Sequence, residues 1–169
     1  MMETRIESLN ALTVTPTVGR CATGEIVGER NIAEGRIPVF SCEGGCIRGE
    51  IARRAANLVA GDPRYARACH GEVFTAPHTA IGRWVSEAPT VVLIDGCFLG
   101  CHGRILENLI PGDRVAHFDA LSHYRRYTDR FDLDSVPEEE IDQVALDVAE
   151  WVLETLGDRP LTPEGEEGV

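Results

Sequence analysis

Apolar positions along the chain fall into two rhythms. Four short runs read as strands: Ile37-Pro38-Val39-Phe40-Ser41, Tyr65-Ala66-Arg67-Ala68-Cys69, Val91-Val92-Leu93-Ile94-Asp95 and Val115-Ala116-His117-Phe118. The third is uninterrupted, the mark of a strand buried on both faces. Pro38 lies at the start of its strand, where a missing N–H is tolerated. Between the runs, apolar residues recur at helical spacing. Ile47, Ile51, Ala55, Leu58 and Val59 form one stripe, closed by Gly61-Asp62-Pro63. Ile81, Trp84 and Val85 form a second, in a helix opened by Pro77 and ended by Ala88-Pro89. Ile105, Leu106, Leu109 and Ile110 form a third, in a helix that begins at a turn carrying Cys97 and Cys101 and stops at Pro111-Gly112-Asp113. The clearest stripe is Ile141, Val144, Ala145, Val148, Trp151, Val152, Thr155 and Leu156, ended by Gly157. Ser135-Val136-Pro137-Glu138 before it reads as a capping box with proline at the first helical position. Strand and helix alternate with short connections, which predicts α/β: a single three-layer domain with a mostly parallel sheet of about four strands and flanking helices.

Boundaries follow from where the rhythm fails. Glycines at 19, 24, 28 and 35 interrupt residues 1–36, which are expected as an irregular N-terminal extension with a short strand at Ala11–Thr15. Cys21 within it has no ligand spacing around it and reads as a free thiol. Residues 37–157 form the α/β domain. Residues 158–169, charged and with two prolines, are expected as a disordered acidic tail. Residues 119–134 read as a solvated loop crossing the end of the sheet, with His123 to Tyr127 in it.

The chemistry sits where strands stop. Cys42, Cys69 and Cys97 each stand at or just after the end of a predicted strand. Parallel strands bring their carboxyl ends to one edge, about 4.8 Å apart, so thiols distant in sequence can meet there. Cys46 and Cys101 each follow a strand-end cysteine by four residues, one helical turn. The expected metal site is therefore Cys42, Cys46, Cys69, Cys97 and Cys101. Four thiolates suit zinc, at about 2.3 Å per Zn–S bond, or an iron–sulfur cluster. Five exceed what a tetrahedral ion takes, which leaves one as a spare ligand. Asp95 and Gly96 end the central strand, and Asp95 is expected to cap the helix that follows. His70 and His102 flank cysteines; they read as exposed loop residues, with outer-shell donation to sulfur as the functional alternative. His117 in the fourth strand reads as a packed core residue.

Two other chemistries use the same residues. Cys42 to Arg48 spells C-x5-R with Gly44 and Gly45 between them, the pattern with which phosphatases and arsenate reductases cradle an oxyanion beside a thiolate. Asp95 would be its general acid. Cys97 and Cys101 would alternatively serve as a redox dithiol.

Composition narrows the partners. The chain has 169 residues, enough for one ordinary domain core, and a net charge of −12. That charge argues against nucleic acid and anionic membrane surfaces as partners. No apolar run approaches the roughly 18 residues of a membrane span, and Met1 to Asn10 lack the apolar core of a signal peptide. A cytoplasmic location is expected, where clustered thiols stay reduced. A metal ion is the expected partner.

Several of these segments are similar to one family. Ser41-Cys42-Glu43-Gly44, Arg53-Arg54-Ala55-Ala56, Cys69, Ile94-Asp95-Gly96-Cys97 with Cys101, and Phe131-Asp132-Leu133 before an acidic helix resemble the DGC-domain family of zinc-binding proteins, over about Pro38 to Leu156. The resemblance implies zinc, with Cys42, Cys69, Cys97 and Cys101 as ligands; the spare fifth cysteine, able to hand metal on, points to metal sensing or handling. Cys46 falls in a stretch that varies within the family. The chain departs from the pattern at Cys69-His70-Gly71-Glu72, where the family usually has an apolar, glycine-rich stretch, and at Phe98, often proline.

Overall fold

The computed structural model describes residues 13–157. One parallel sheet holds four strands: β1 (Ile37–Ser41), β2 (Tyr65–Arg67), β3 (Val91–Asp95) and β4 (Val115–Asp119), in the order β2-β1-β3-β4. Every neighbouring pair is parallel, so all four carboxyl ends share one edge. Successive strand residues point to opposite faces, and the core splits accordingly. Val39, Val92, Ile94 and Phe118 pack under helices α2 (Ile47–Val59) and α7 (Glu138–Thr155). Phe40, Val91 and Leu93 pack under the other layer, α4 (Ala80–Glu87) and α5 (Cys101–Leu106), with α3 (His70–Thr75) beside them. Both β3 faces are apolar because both are covered.

Strand order also places a crevice. From β1 the chain crosses on the α2 face to β2 at one side; from β3 it crosses on the α5 face to β4 at the other side. β1 and β3 are adjacent, so the winding reverses between them. In open α/β sheets ligands bind outside the carboxyl ends of the strands at such a reversal.

Several local expectations are corrected. Helix α1 (Ala22–Glu34) forms inside the segment expected to be irregular. Its glycines are a packing seam rather than breaks. A Cβ on Gly28 would lie 2.4 Å from the backbone of Ala80, and one on Gly24 would lie 2.3 Å from the Glu72 carboxylate. Close approach to α3 and α4 outweighs helix propensity. Gly35, at φ 64°, ends the helix. Residues 13–15 form no strand, while Ala11 and Leu12 lie outside the described residues, as does the tail 158–169.

β2 stops at Arg67, short of Cys69, and His70 begins the six-residue helix α3. Pro77 does not open the next helix; Thr79 caps it, accepting from the Gly82 N–H, and α4 starts at Ala80. Helix α5 starts at Cys101 and ends at Leu106, so Cys97 sits in the preceding turn and the two cysteines are not one helical turn apart. Helix α6 (Ala120–Tyr124) interrupts the expected loop, capped by Asp119 accepting from the Ser122 N–H. The capping box before α7 is absent: Ser135 Oγ donates instead to the Asp132 carbonyl.

Candidate metal centre

Three elements converge at the β1/β3 reversal. The Cys42 N–H continues the β1–β3 ladder, donating to the Ile94 carbonyl at 2.8 Å. That bond sets Cys42 beside Asp95, the last residue of β3. Gly96 then turns the chain against the first turn of α2: a Cβ there would lie 2.6 Å from the Arg48 carbonyl oxygen. Only glycine fits such an approach. The chain returns at Cys101 to start α5, and His102 faces back. The Cys42 sulfur, an Asp95 oxygen and a His102 ring nitrogen all lie within 4.8 Å of one another. Among the described residues this is the one group of three or more His, Cys, Asp or Glu side chains that is spaced to hold a metal ion.

Asp95 holds the arrangement together. Oδ2 accepts from the Gly103 N–H at 3.0 Å and Oδ1 from the His102 N–H at 3.3 Å, so one carboxylate fixes the start of α5. Nε2 of His117 lies 2.8 Å from Oδ2. Burial pushes the Asp95 carboxyl up, but the His117 ring and the two N–H groups outweigh it and leave it below the usual range. The same pairing pulls the His117 imidazole up. His117 is thus not a core residue: its side chain is 40% exposed, and it braces Asp95 from β4. The register pairs His117 with Leu93, which makes it the diagonal neighbour of Asp95. The signal for this was a polar residue on an edge strand, one face of which is only partly covered.

The cysteines have unequal surroundings. Burial pushes the Cys42 thiol up, more than the N–H groups of Gly96 and Gly44 pull it down; Asp95 and Cys101 add to the rise. Cys101 is exposed but close enough to Cys42 for its charge to be felt there. Cys46 is the residue before α2. Burial pushes its thiol up, yet the Gly49 N–H and the Arg48 guanidinium prevail and hold it below the ordinary value. Cys97 is a charge neighbour of Arg48 and of Tyr124. Cys69 is exposed and makes no capping bond to α3. The structure therefore brings Cys42 together with Asp95 and His102; Cys46, Cys69, Cys97 and Cys101 do not join that group within its 4.8 Å limit. All six cysteines are free.

The histidines are corrected as well. His70 and His102 are not loose loop residues: both are half-buried, and their rings meet edge-on, centroids 4.7 Å apart. His70 also lies edge-on to Phe40 at 4.8 Å. Burial, with His102 and Arg67 nearby, pushes the His70 imidazole down to about 4. It is neutral at pH 7 with a lone pair to give. Nε2 of His70 and Nδ1 of His102 are buried and without a hydrogen-bond partner. Asn31, Glu72 and Arg114 also carry buried atoms without a hydrogen-bond partner, so it is the approach of Cys42, Asp95 and His102 that points to an ion. An acceptor-rich set of thiol, imidazole and carboxylate is what a borderline divalent cation takes. The residues present fit such an ion.

Arg67 ties the crevice together from β2. Its guanidinium donates to Ser41 Oγ at 2.7 Å and to Glu43 at 3.1 Å, linking β2 to the loop after Cys42. Sequence reading missed this residue because one arginine in a short strand carries no periodic signal.

No helix among the described residues is long and apolar enough to cross a membrane. No curated protein and no solved structure matches the chain. The DGC domain matches it over residues 38–147. That span runs from β1 through most of α7 and contains Cys42, Asp95, His102 and the Asp-Gly-Cys turn, and the chain belongs to the DGC-domain family.

Proposed function

We propose that this domain binds a zinc ion at the β1/β3 reversal and exchanges it with its surroundings, as a metal sensor or carrier would. The observation that carries this reading is the approach of Cys42, Asp95 and His102 to within 4.8 Å, with the His102 Nδ1 buried and bare. Cys42 and His102 are the central donors. Cys101, exposed and within electrostatic reach of Cys42, is the cysteine positioned to close on the ion from the start of α5. Asp95, already bonded to two N–H groups and His117, orients His102 rather than acting as a primary donor. The mixed nitrogen and sulfur set favours one ion over an iron–sulfur cluster, which takes four thiolates.

Exchange rather than stapling is supported by where the site lies. Of its cysteines only Cys42 packs against an apolar cluster, and residues 97–101 carry exposed Phe98, Leu99 and Cys101. A reducing compartment keeps such thiols available, so we place the protein in the cytoplasm. The oxyanion reading is not favoured: the C-x5-R arginine engages Cys46, and burial leaves Cys42 a neutral thiol rather than a nucleophile.

The test is zinc titration of the full chain against a chromophoric chelator at several pH values. Cys42 must lose its proton to bind, so affinity should rise with pH and binding should release protons. Binding without any pH dependence, or none at all, contradicts the reading.

A further inference from the structure

We propose that the loop between α6 and α7 is a self-complementary surface on which a second copy of this chain docks, giving a two-fold dimer. The inference is independent of the metal centre and uses none of its donors.

The loop is closed at its base. Arg126 lies 3.7 Å from the Glu140 carboxylate in α7, and the Tyr127 hydroxyl donates to the same carboxylate. Further out, Arg130 Nη1 donates across the loop to the Ser135 carbonyl at 3.4 Å. On the inner side, Val136 is buried in the α2–α7 core and Tyr127 packs against the same cluster. Arg125 and Tyr127 hold left-handed backbone, at φ 56° and 62°, although neither is glycine. Such conformations persist only where the surrounding contacts fix them. The loop is thus a preorganised surface, which gives up little freedom on docking.

Its outer side is unpartnered. Phe131 is 64% exposed and Leu133 is 40% exposed. Single exposed apolar residues are ordinary; here charges of opposite sign bracket the pair. The arm entering the loop carries Arg125, Arg126 and Arg130 against one acid, Asp129. Arg125 and Arg130 donate only to backbone carbonyls, those of Ser122 and Ser135. By contrast, Arg53, Arg54, Arg64 and Arg83 each meet a carboxylate. The arm leaving the loop carries Asp134, Glu138, Glu139 and Glu140 and no base. Of these, Asp134 and Glu139 are exposed with no cation beside them among the described residues.

The two signs select the occupant. Across a two-fold axis a patch faces itself, so that residue i meets j and j meets i. With the axis running along the loop, each basic arm lies opposite the acidic arm of the other copy, and the Phe131 side chains meet between them. A partner of a single charge sign would match only one arm. A net charge of −12 makes copies repel over most of their surface. A face with both signs around an apolar centre is where they can meet.

The experiment is sedimentation velocity of the full chain over a concentration series. Reductant and chelator are present, so that neither disulfides nor a shared metal link the copies. A concentration-dependent dimer is expected. Phe131→Ser changes an exposed side chain, so thermal unfolding of the dilute monomer should not move. Its dimer dissociation constant should rise by roughly tenfold or more, as truncation of an aromatic anchor at an interface does. Two charge variants give a sharper reading. Arg125→Glu with Arg130→Glu turns the basic arm acidic, and Asp134→Arg with Glu139→Arg adds positive charge to the acidic arm. Each double variant alone should be monomeric, and an equimolar mixture should form a heterodimer. That mixture decides the matter alone if Phe131→Ser folds poorly. An unmodified chain that stays monomeric at every concentration would overturn the inference. So would a dimer that survives Phe131→Ser unchanged, or charge variants whose mixture does not associate.

Discussion

The α2–α7 layer and the carboxyl edge of the sheet solve burial in opposite ways. In the first, apolar side chains interlock, and charge is confined to a rim where it is paired. Glu50 binds Arg53 and Arg54, and Arg54 reaches across to Asp142 at 2.5 Å and Glu138 at 3.4 Å. At the carboxyl edge, a thiol, a carboxylate and an imidazole come within 4.8 Å of one another, and burial pushes the half-buried Cys42 thiol up. The comparison separates two kinds of burial: the apolar layer is packed by shape, and the edge gathers polar side chains that can act together.

The largest expected effect falls on the supporting layer. Leu153→Ala in α7 removes a fully buried side chain and should cost about 2–5 kcal/mol, lowering the midpoint of urea unfolding. Metal affinity per folded molecule should stay unchanged, since no donor lies on α7. A loss of affinity in the folded fraction would break the separation of the two regions.

Gly96→Ala acts at their junction. The added methyl would meet the Arg48 carbonyl oxygen at 2.6 Å. It should cost about 1–3 kcal/mol and shift the Asp-Gly-Cys turn, weakening metal binding as well as stability. Unchanged stability in thermal unfolding would show that the turn is not pressed against α2 as described.

Asp95→Asn keeps shape but removes charge from the start of α5. About 1 kcal/mol should be lost with the cap. The His117 imidazole, pulled up by the carboxylate, should fall back toward its ordinary value in an NMR titration. A His117 titration identical in both proteins would sink the brace.

The smallest effect is a pH dependence in the supporting layer. Arg53 hydrogen-bonds Glu50 and, against the opposing effect of burial, holds its carboxyl below the usual range, with Arg54 adding to this. A depressed folded value contributes stability above the unfolded carboxylate pKa, and the contribution is lost as pH falls through the folded value. Glu50→Gln should therefore unfold at lower temperature than the unmodified chain at neutral pH, by about 1 kcal/mol or less for a rim pair. The gap should close in acid. A gap that widens in acid would contradict the assignment.

How much of this was legible in the sequence varies with the kind of signal. The four strands, their common edge, α2 and α7 were readable because burial imposes a period on many residues at once. Helix α1 was not: its glycines lower helix propensity, and only the approach of α3 and α4 explains them. The separation of Cys97 from the start of α5 was hidden because C-x3-C fits a turn as well as a helix. At the strand ends, the rule placed Cys42 beside Asp95 and the turn after it, whereas β2 ends early and Cys69 is exposed. His70 and His117 are decided by single contacts across the chain, which leave no periodic trace.

The central claim is that the bare edge holds a metal ion on Cys42. It is tested most directly by metal analysis of the full chain purified in reducing buffer without added metal, alongside Cys42→Ser. The account predicts one zinc per unmodified chain and none in the variant, with both proteins folded. A metal-free unmodified chain that also fails to take up zinc, or a Cys42→Ser variant that retains its ion, would contradict it.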